Sequence, residues 1–99
     1  MKIAIASEGQ TLDSEISDLG GRAPYYLIVE DGELIEAVKN PFAVGGGGAG
    51  WSVAHMLADK EVNLVIAGKI GPNMARALED KGIEYQEKSG QAGGAISRE

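Results

Sequence analysis

The chain has 99 residues, 43% of them hydrophobic, which is a typical size for one domain with its own core. Its formal net charge of −6 argues against a general nucleic-acid binder, because such proteins need clustered Lys and Arg for phosphate contacts. The absence of cysteine excludes disulfides, thiolate nucleophiles and all-thiolate metal sites. No apolar run approaches the roughly 20 residues of a membrane span, and no signal-peptide pattern opens the chain. We therefore expect one cytoplasmic domain over residues 1–99, with no membrane or nucleic-acid partner.

The first third of the chain predicts two strands separated by a polar loop. Lys2–Ala6 is a short apolar run, typical of a buried strand. Residues 10–22 are mostly polar and predict a loop, with at most one helical turn around Ser14–Ser17. Residues 25–30 are the most strand-like stretch of the chain, because they combine aromatic and β-branched side chains.

A hairpin and a crossover helix are expected next. Asp31 and Gly32 lie between two strand-like runs and predict a tight turn into a third strand over Glu33–Lys39, antiparallel to the second. Residues 49–60 have the apolar spacing of a helix. Residues 62–67 are apolar without alternation, as expected for a strand that is covered on both faces.

The remaining elements complete an α/β pattern. Pro72 opens a predicted helix that runs to Lys81, and residues 83–86 predict a last short strand. Residues 89–99 are small and polar, which leaves a weak terminal helix and a frayed tail as alternatives. The order β-ββ-α-β-α-β predicts a mixed sheet of about five strands in which strand two is antiparallel. We expect a three-layer α/β/α arrangement of the ribonuclease-H-like kind.

Glycine-rich loops are expected to meet at one end of this sheet. They follow strand one at Ser7, precede the first helix at residues 45–50, and follow strand four at residues 68–73. Helix N-termini present free N–H groups there, and Arg22 enters from the same side. These features favour an anion site, although the glycine run is also compatible with a simple connector between elements.

Other functional interpretations find less support in the residues. Gly45, Gly47 and Gly50 match the spacing of a dinucleotide fingerprint, but they follow a hairpin rather than the first strand. The first strand carries no carboxylate, which disfavours a metal-dependent nuclease, and no nucleophile–base pair is evident, so we expect no enzymatic activity. His55 is the only histidine and is either a partly buried helix residue or a metal ligand near the glycine loop.

Several segments together resemble the dinitrogenase iron–molybdenum cofactor biosynthesis family, in the small-domain form related to NifX and to the carboxyl-terminal part of NifB. The segments are MKIAIAS at 1–7, LDSEIS at 12–17, GRAPYYLIV at 21–29, NP at 40–41, GGGGAG at 45–50, VIAG at 65–68 and GPN at 71–73. The resemblance covers nearly the whole chain. It implies a ribonuclease-H-like fold and a non-enzymatic role in carrying or inserting iron–sulfur-based metalloclusters.

The resemblance also implies which residues line the site. They are Ser7, Gly21, Arg22, Gly45, Gly46, Gly47, Gly48, Gly68, Gly71 and Asn73. The first hypothesis is an accessory protein that binds an iron–sulfur or iron–molybdenum cluster there, with His55 as a metal ligand and cluster donor or acceptor proteins as partners. The alternative is a regulatory module that binds a small anionic metabolite or a partner protein and no cluster. We expect a monomer or a weak dimer, because charged residues protect the edge strand.

Overall fold

The computed structural model of the chain describes residues 1–44 and 48–96. The predicted strands and the two longer helices are confirmed, with ends that differ from the prediction by at most two residues. The elements are β1 (Lys2–Ser7), a 3-10 turn (Gly20–Arg22), β2 (Tyr25–Glu30), β3 (Glu33–Lys39), α1 (Ala49–Asp59), β4 (Leu64–Ala67), α2 (Pro72–Asp80), β5 (Glu84–Glu87) and α3 (Ala92–Ala95). None of the helices in these ranges is long and apolar enough to cross a membrane.

The five strands form one mixed sheet in the order β3-β2-β1-β4-β5. β2 is antiparallel to both of its neighbours, whereas β1, β4 and β5 are parallel, so the predicted strand directions are confirmed. The turn between β2 and β3 requires two left-handed residues, and Asp31 (φ 53°) and Gly32 (φ 86°) supply them. The carboxyl ends of β1, β3, β4 and β5 therefore lie at the same end of the sheet.

α1 and α2 cover the same face of the sheet. Both helices connect strands in the same direction across the sheet, and right-handed crossovers then place them on one side. Their buried side chains include Val53 and Leu57 from α1 and Met74 and Leu78 from α2, which pack on the inward-facing residues of β1, β2 and β4. Burial of these apolar side chains is the main favourable term in the stability of this half of the domain.

The opposite face is covered by the long loop after β1 and by α3. Ile16 and Ala92 pack there against Ile5 and Leu27 of the sheet. The suggested helical turn around Ser14–Ser17 is wrong, because Ser14 lies in a bend and the next two residues pair with other segments.

Two isolated bridges hold that loop in place. Ile16 pairs with Ser7, and Glu15 pairs with Gln91. The backbone of Ser17 also donates to the carbonyl of Ala6, at 2.9 Å. Backbone pairing to two distant segments therefore outweighs the local helical preference. α3 shows that the terminal segment is helical over Ala92–Ala95, while residues 97–99 lie outside the described range.

A hydrogen bond from the buried Tyr26 connects the core with the 3-10 turn. Its side chain is fully buried, and its hydroxyl donates to the carbonyl oxygen of Gly20 at 2.6 Å. Burial raises the pKa of Tyr26 well above the ordinary tyrosine value, so the hydroxyl remains a donor throughout the physiological pH range. This buried hydrogen bond is therefore one of the contacts that hold the turn in position.

We expect Tyr26→Phe to lower the free energy of unfolding by about 1–3 kcal/mol, because the buried Gly20 carbonyl loses its partner. Urea denaturation measures the change. Tyr25→Phe is the matched control, since the Tyr25 hydroxyl accepts only an exposed bond from Gln10 and its loss should cost less than about 0.5 kcal/mol. Equal losses in the two variants would contradict a special role for Tyr26.

Candidate functional site

Three segments at the carboxyl end of the sheet enclose a groove of about 270 Å³, which we call the glycine groove. One segment contains the 3-10 turn, the second is the start of α1, and the third is the loop from β4 into α2. The lining residues are Leu19, Gly20, Gly21, Arg22, Gly48, Ala49, Gly50, Lys69, Gly71, Pro72, Asn73 and Met74. The predicted site residues Gly21, Arg22, Gly48, Gly71 and Asn73 are therefore brought together.

Both long helices point their N-termini at this groove. Gly48 and Gly71 are the N-cap residues of α1 and α2, and neither helix has a side-chain cap. The N–H groups of a first helical turn have no acceptor within the helix, and each N-terminus carries roughly half a positive charge. Two such N-termini on one concavity favour a bound anion.

The two helices approach closely because of one glycine. A Cβ atom at Gly50 would lie 2.9 Å from the Cβ of Met74 and 3.1 Å from its backbone nitrogen. Gly21 in turn faces Gly50, where an added Cβ would lie 3.3 Å from the Gly50 nitrogen. Gly21 and Gly50 are thus used for contacts between protein segments, which bring the three backbones together around the groove.

Gly48 and Gly71 face open space instead. No atom lies within 4 Å of a Cβ placed on either residue. Gly48 also has a φ of 86°, which favours glycine, whereas Gly71 has a φ of −69°, which any residue adopts. Gly71 is therefore a position where a methyl group can be added to the groove lining without backbone strain.

The charge of the groove is opposite to that of the whole chain. Arg22 and Lys69 line it, and no Asp or Glu is among the lining residues that the structure describes. The chain as a whole carries a formal charge of −6. A local excess of positive charge in an acidic protein makes this concavity an electrostatically favourable environment for an anion.

Hydrogen bonds from two sides hold the loop between β4 and α2. The backbone N–H of Gly20 donates to the carbonyl of Lys69 at 2.9 Å. The carboxylate of Glu87 accepts from the backbone N–H of Ile70, also at 2.9 Å. These bonds fix the position of Lys69 relative to the 3-10 turn.

Ser7 and Gly68, both predicted to line the site, do not line the glycine groove. The buried Ser7 hydroxyl bonds to Gly9, donating to its carbonyl at 2.8 Å and accepting from its N–H at 3.2 Å. A Cβ at Gly68 would lie 2.8 Å from the Cα of Asp18, so this glycine allows two chain segments to touch. Gly45, Gly46 and Gly47 lie outside the described residues.

His55 lies on the outer face of α1, away from the residues that line the groove. Its side chain is 70% exposed, and its Nε2 atom is 4.0 Å from a carboxylate oxygen of Asp59. It borders two shallow depressions next to Phe42, one of which also includes Trp51. The described residues contain no group of three or more His, Asp or Glu side chains that could hold a metal ion.

Asn40, which is only 3% exposed and bonds to the segment before β2, was not among the predicted site residues. Gly20 and Gly50 were not singled out as groove residues either. Asn40 and Pro41 are among the segments that resemble the family, but no periodicity or spacing rule connects them with residues 21–23. For Gly50, the only local signal was its place in a glycine-rich run.

Comparison with known proteins identifies the family. A sequence model described as "Dinitrogenase iron-molybdenum cofactor" matches residues 1–98 of the chain. The chain belongs to this family. No curated protein matches the sequence.

Solved structures of similar proteins share the fold of this family member. The apo form of the orange protein from Desulfovibrio gigas aligns with a TM-score of 0.89 and 28% identity, covering 96% of this chain and 82% of that one. A NifB-like protein from Thermotoga, assigned to the DUF35 family, aligns with a TM-score of 0.80 and 32% identity, covering 96% and 83%. A dinitrogenase-like protein from Methanocaldococcus jannaschii, 22% identical, aligns with a TM-score of 0.62 over 92% and 78% and supports the fold alone.

We predict that Gly50→Ala lowers the free energy of unfolding by about 1–3 kcal/mol, because its Cβ forces α1 and α2 apart. Thermal and urea unfolding measure the loss. Gly71→Ala is the matched control and should change stability by less than about 0.5 kcal/mol, since its added methyl group meets no atom. If Gly50→Ala were as stable as the parent protein, the close contact between the helices would not be required.

Proposed function

We propose that this protein binds a preassembled, negatively charged metal–sulfur cluster of the iron–sulfur or iron–molybdenum type in the glycine groove. It carries the cluster between a donor and an acceptor protein and catalyses no reaction. The observation that carries the proposal is the convergence of two uncapped helix N-termini with Arg22 and Lys69 on one groove. Membership in the dinitrogenase iron–molybdenum cofactor family supports a cluster as the anion.

The donor set fits a complete cluster better than a bare metal ion. The chain has no cysteine, and the groove lining contains no carboxylate or imidazole among the described residues. A bare iron ion would therefore find no thiolate, carboxylate or imidazole ligand there. A cluster whose metal ions are already fully coordinated by the ligands it carries needs no bond from the protein to its metals. N–H donors and positive charge can then hold it, and the groove offers both.

The size of the groove favours a compact ligand. Its volume of about 270 Å³ lies just below the roughly 300–1,000 Å³ of sites that enclose drug-sized molecules. An inorganic cluster or a small oxyanion suits this space better than a dinucleotide.

Cluster retention under anaerobic conditions tests the proposal. The purified protein is incubated with preformed iron–sulfur or iron–molybdenum clusters and desalted, and the retained iron and molybdenum are counted per chain. We expect near-stoichiometric metal in the parent and at least about a tenfold loss of affinity in Arg22→Ala, because a charge-assisted contact is removed. Arg76→Ala is the control, since Arg76 is an exposed α2 residue outside the groove.

The same experiment tests the prediction that His55 is a metal ligand. A cluster in the glycine groove should be retained by His55→Ala, because His55 is not among the residues that line the groove. Metal lost from His55→Ala but kept by Arg22→Ala would move the site to the outer face of α1. No metal in the parent protein would contradict cluster binding.

Adding a methyl group at Gly71 gives a steric test of the site. Gly71→Ala should fold normally and retain less cluster than the parent, because the groove becomes narrower at the N-terminus of α2. Retained metal per chain and the melting temperature are measured on the same samples. Full retention would mean that the cluster does not contact this part of the groove.

The absence of cysteine gives a second candidate specific support. A groove lined by N–H groups and two cations can hold a small anionic metabolite without any metal ligand. Under this alternative, a millimolar phosphate, nucleotide or carboxylate raises the melting temperature by mass action, and Arg22→Ala removes the shift. No shift with any compound of such a screen would count against this function.

A further inference from the structure

The side chain of Asn40 donates hydrogen bonds to the backbone on both sides of Arg22. Its amide nitrogen donates to the carbonyl of Ala23 at 2.8 Å and to the carbonyl of Gly21 at 3.3 Å. These two carbonyls belong to the residues immediately before and after Arg22. One buried side chain therefore fixes the backbone on both sides of the arginine that lines the groove.

The same side chain is linked to the guanidinium of Arg22 through the backbone of Phe42. The Oδ1 atom of Asn40 accepts from the backbone N–H of Phe42 at 3.0 Å. The carbonyl of Phe42 in turn accepts from Nη1 of Arg22 at 3.3 Å. The Oδ1 atom of Asn40 thus fixes Phe42, whose carbonyl holds the guanidinium of Arg22. The amide nitrogen of Asn40 holds the backbone on either side of Arg22.

The chemistry of this position suits asparagine. The arrangement uses the amide N–H donors toward two carbonyls and one acceptor toward an N–H, all at a site that is 3% exposed. Aspartate supplies no donor, serine is too short to replace three contacts, and leucine would leave two carbonyls and one N–H without partners. No buried side-chain nitrogen or oxygen lacks a partner within the described ranges, so the network is complete as it stands.

We propose that Asn40 is a positioning residue that sets Arg22 for anion binding in the glycine groove, an inference that rests on the function proposed above. An arginine whose backbone and guanidinium are already held loses less conformational entropy when an anion binds. Asn40 therefore raises the affinity of the groove without touching the ligand. Its effect on affinity acts through Arg22 and should disappear when Arg22 is absent.

A double-mutant cycle separates this role from general structural support. The dissociation constant for the preformed iron–molybdenum cluster is measured in the parent, Asn40→Ser, Arg22→Ala and the double variant, with Trp51 fluorescence as the signal. Asn40→Ser should weaken binding about tenfold when Arg22 is present and less than about twofold in the Arg22→Ala background. Equal weakening in both backgrounds would overturn the proposal, because Asn40 would then support the fold and not the arginine.

A ligand-free measurement keeps the test decisive if cluster binding fails or if the variant does not fold. The ¹⁵N relaxation of the Arg22 Nε–H group is measured in the parent, with the exposed Arg76 as the internal control. We expect Arg22 to be ordered like the backbone, Arg76 to be mobile, and Arg22 to become mobile in Asn40→Ser. An Arg22 side chain as mobile as Arg76 in the parent would overturn the proposal. A parent protein that binds no cluster but keeps an ordered Arg22 would contradict only the proposed function.

Discussion

The contact between the N-terminal ends of α1 and α2 is the constraint on which the site depends. Gly50 lies against the backbone of Met74, where even a single methyl group would not fit without movement of the helices. Gly21 lies against Gly50 and adds the 3-10 turn to the same contact. Three segments from distant parts of the chain therefore converge because two positions have no side chain.

The electrostatic character of the groove follows from that packing. Since both helices begin at the groove, the partial positive charges of their first N–H groups act on the same space. Arg22 and Lys69 add formal charge from two further loops. An acidic protein thereby has a positively charged concavity at the carboxyl end of its sheet, with no carboxylate among the described lining residues.

The architecture could be predicted from the sequence because its signals are local. The Asp31–Gly32 turn needs two residues that tolerate positive φ, and Pro72 fits the first turn of a helix, so both features are readable from a few letters. The segment around Ser14–Ser17 was predicted incorrectly for the complementary reason. Its conformation is set by pairing with Ser7 and with the segment around Gln91, and both contacts span more of the chain than a helical turn does.

The sequence by itself determined the strand and helix order, the excess of acid, the lack of thiolate ligands and the presence of glycine-rich loops at the carboxyl end of the sheet. Only the tertiary structure decided what each glycine does. Gly21, Gly50 and Gly68 make room for other chain segments, whereas Gly48 and Gly71 face open space. The tertiary structure alone also showed that Asn40 bonds to the backbone on both sides of Arg22. It likewise showed that His55 lies on the outer face of α1. These roles depend on contacts between residues far apart along the chain, and such contacts leave no periodic or local trace in the sequence.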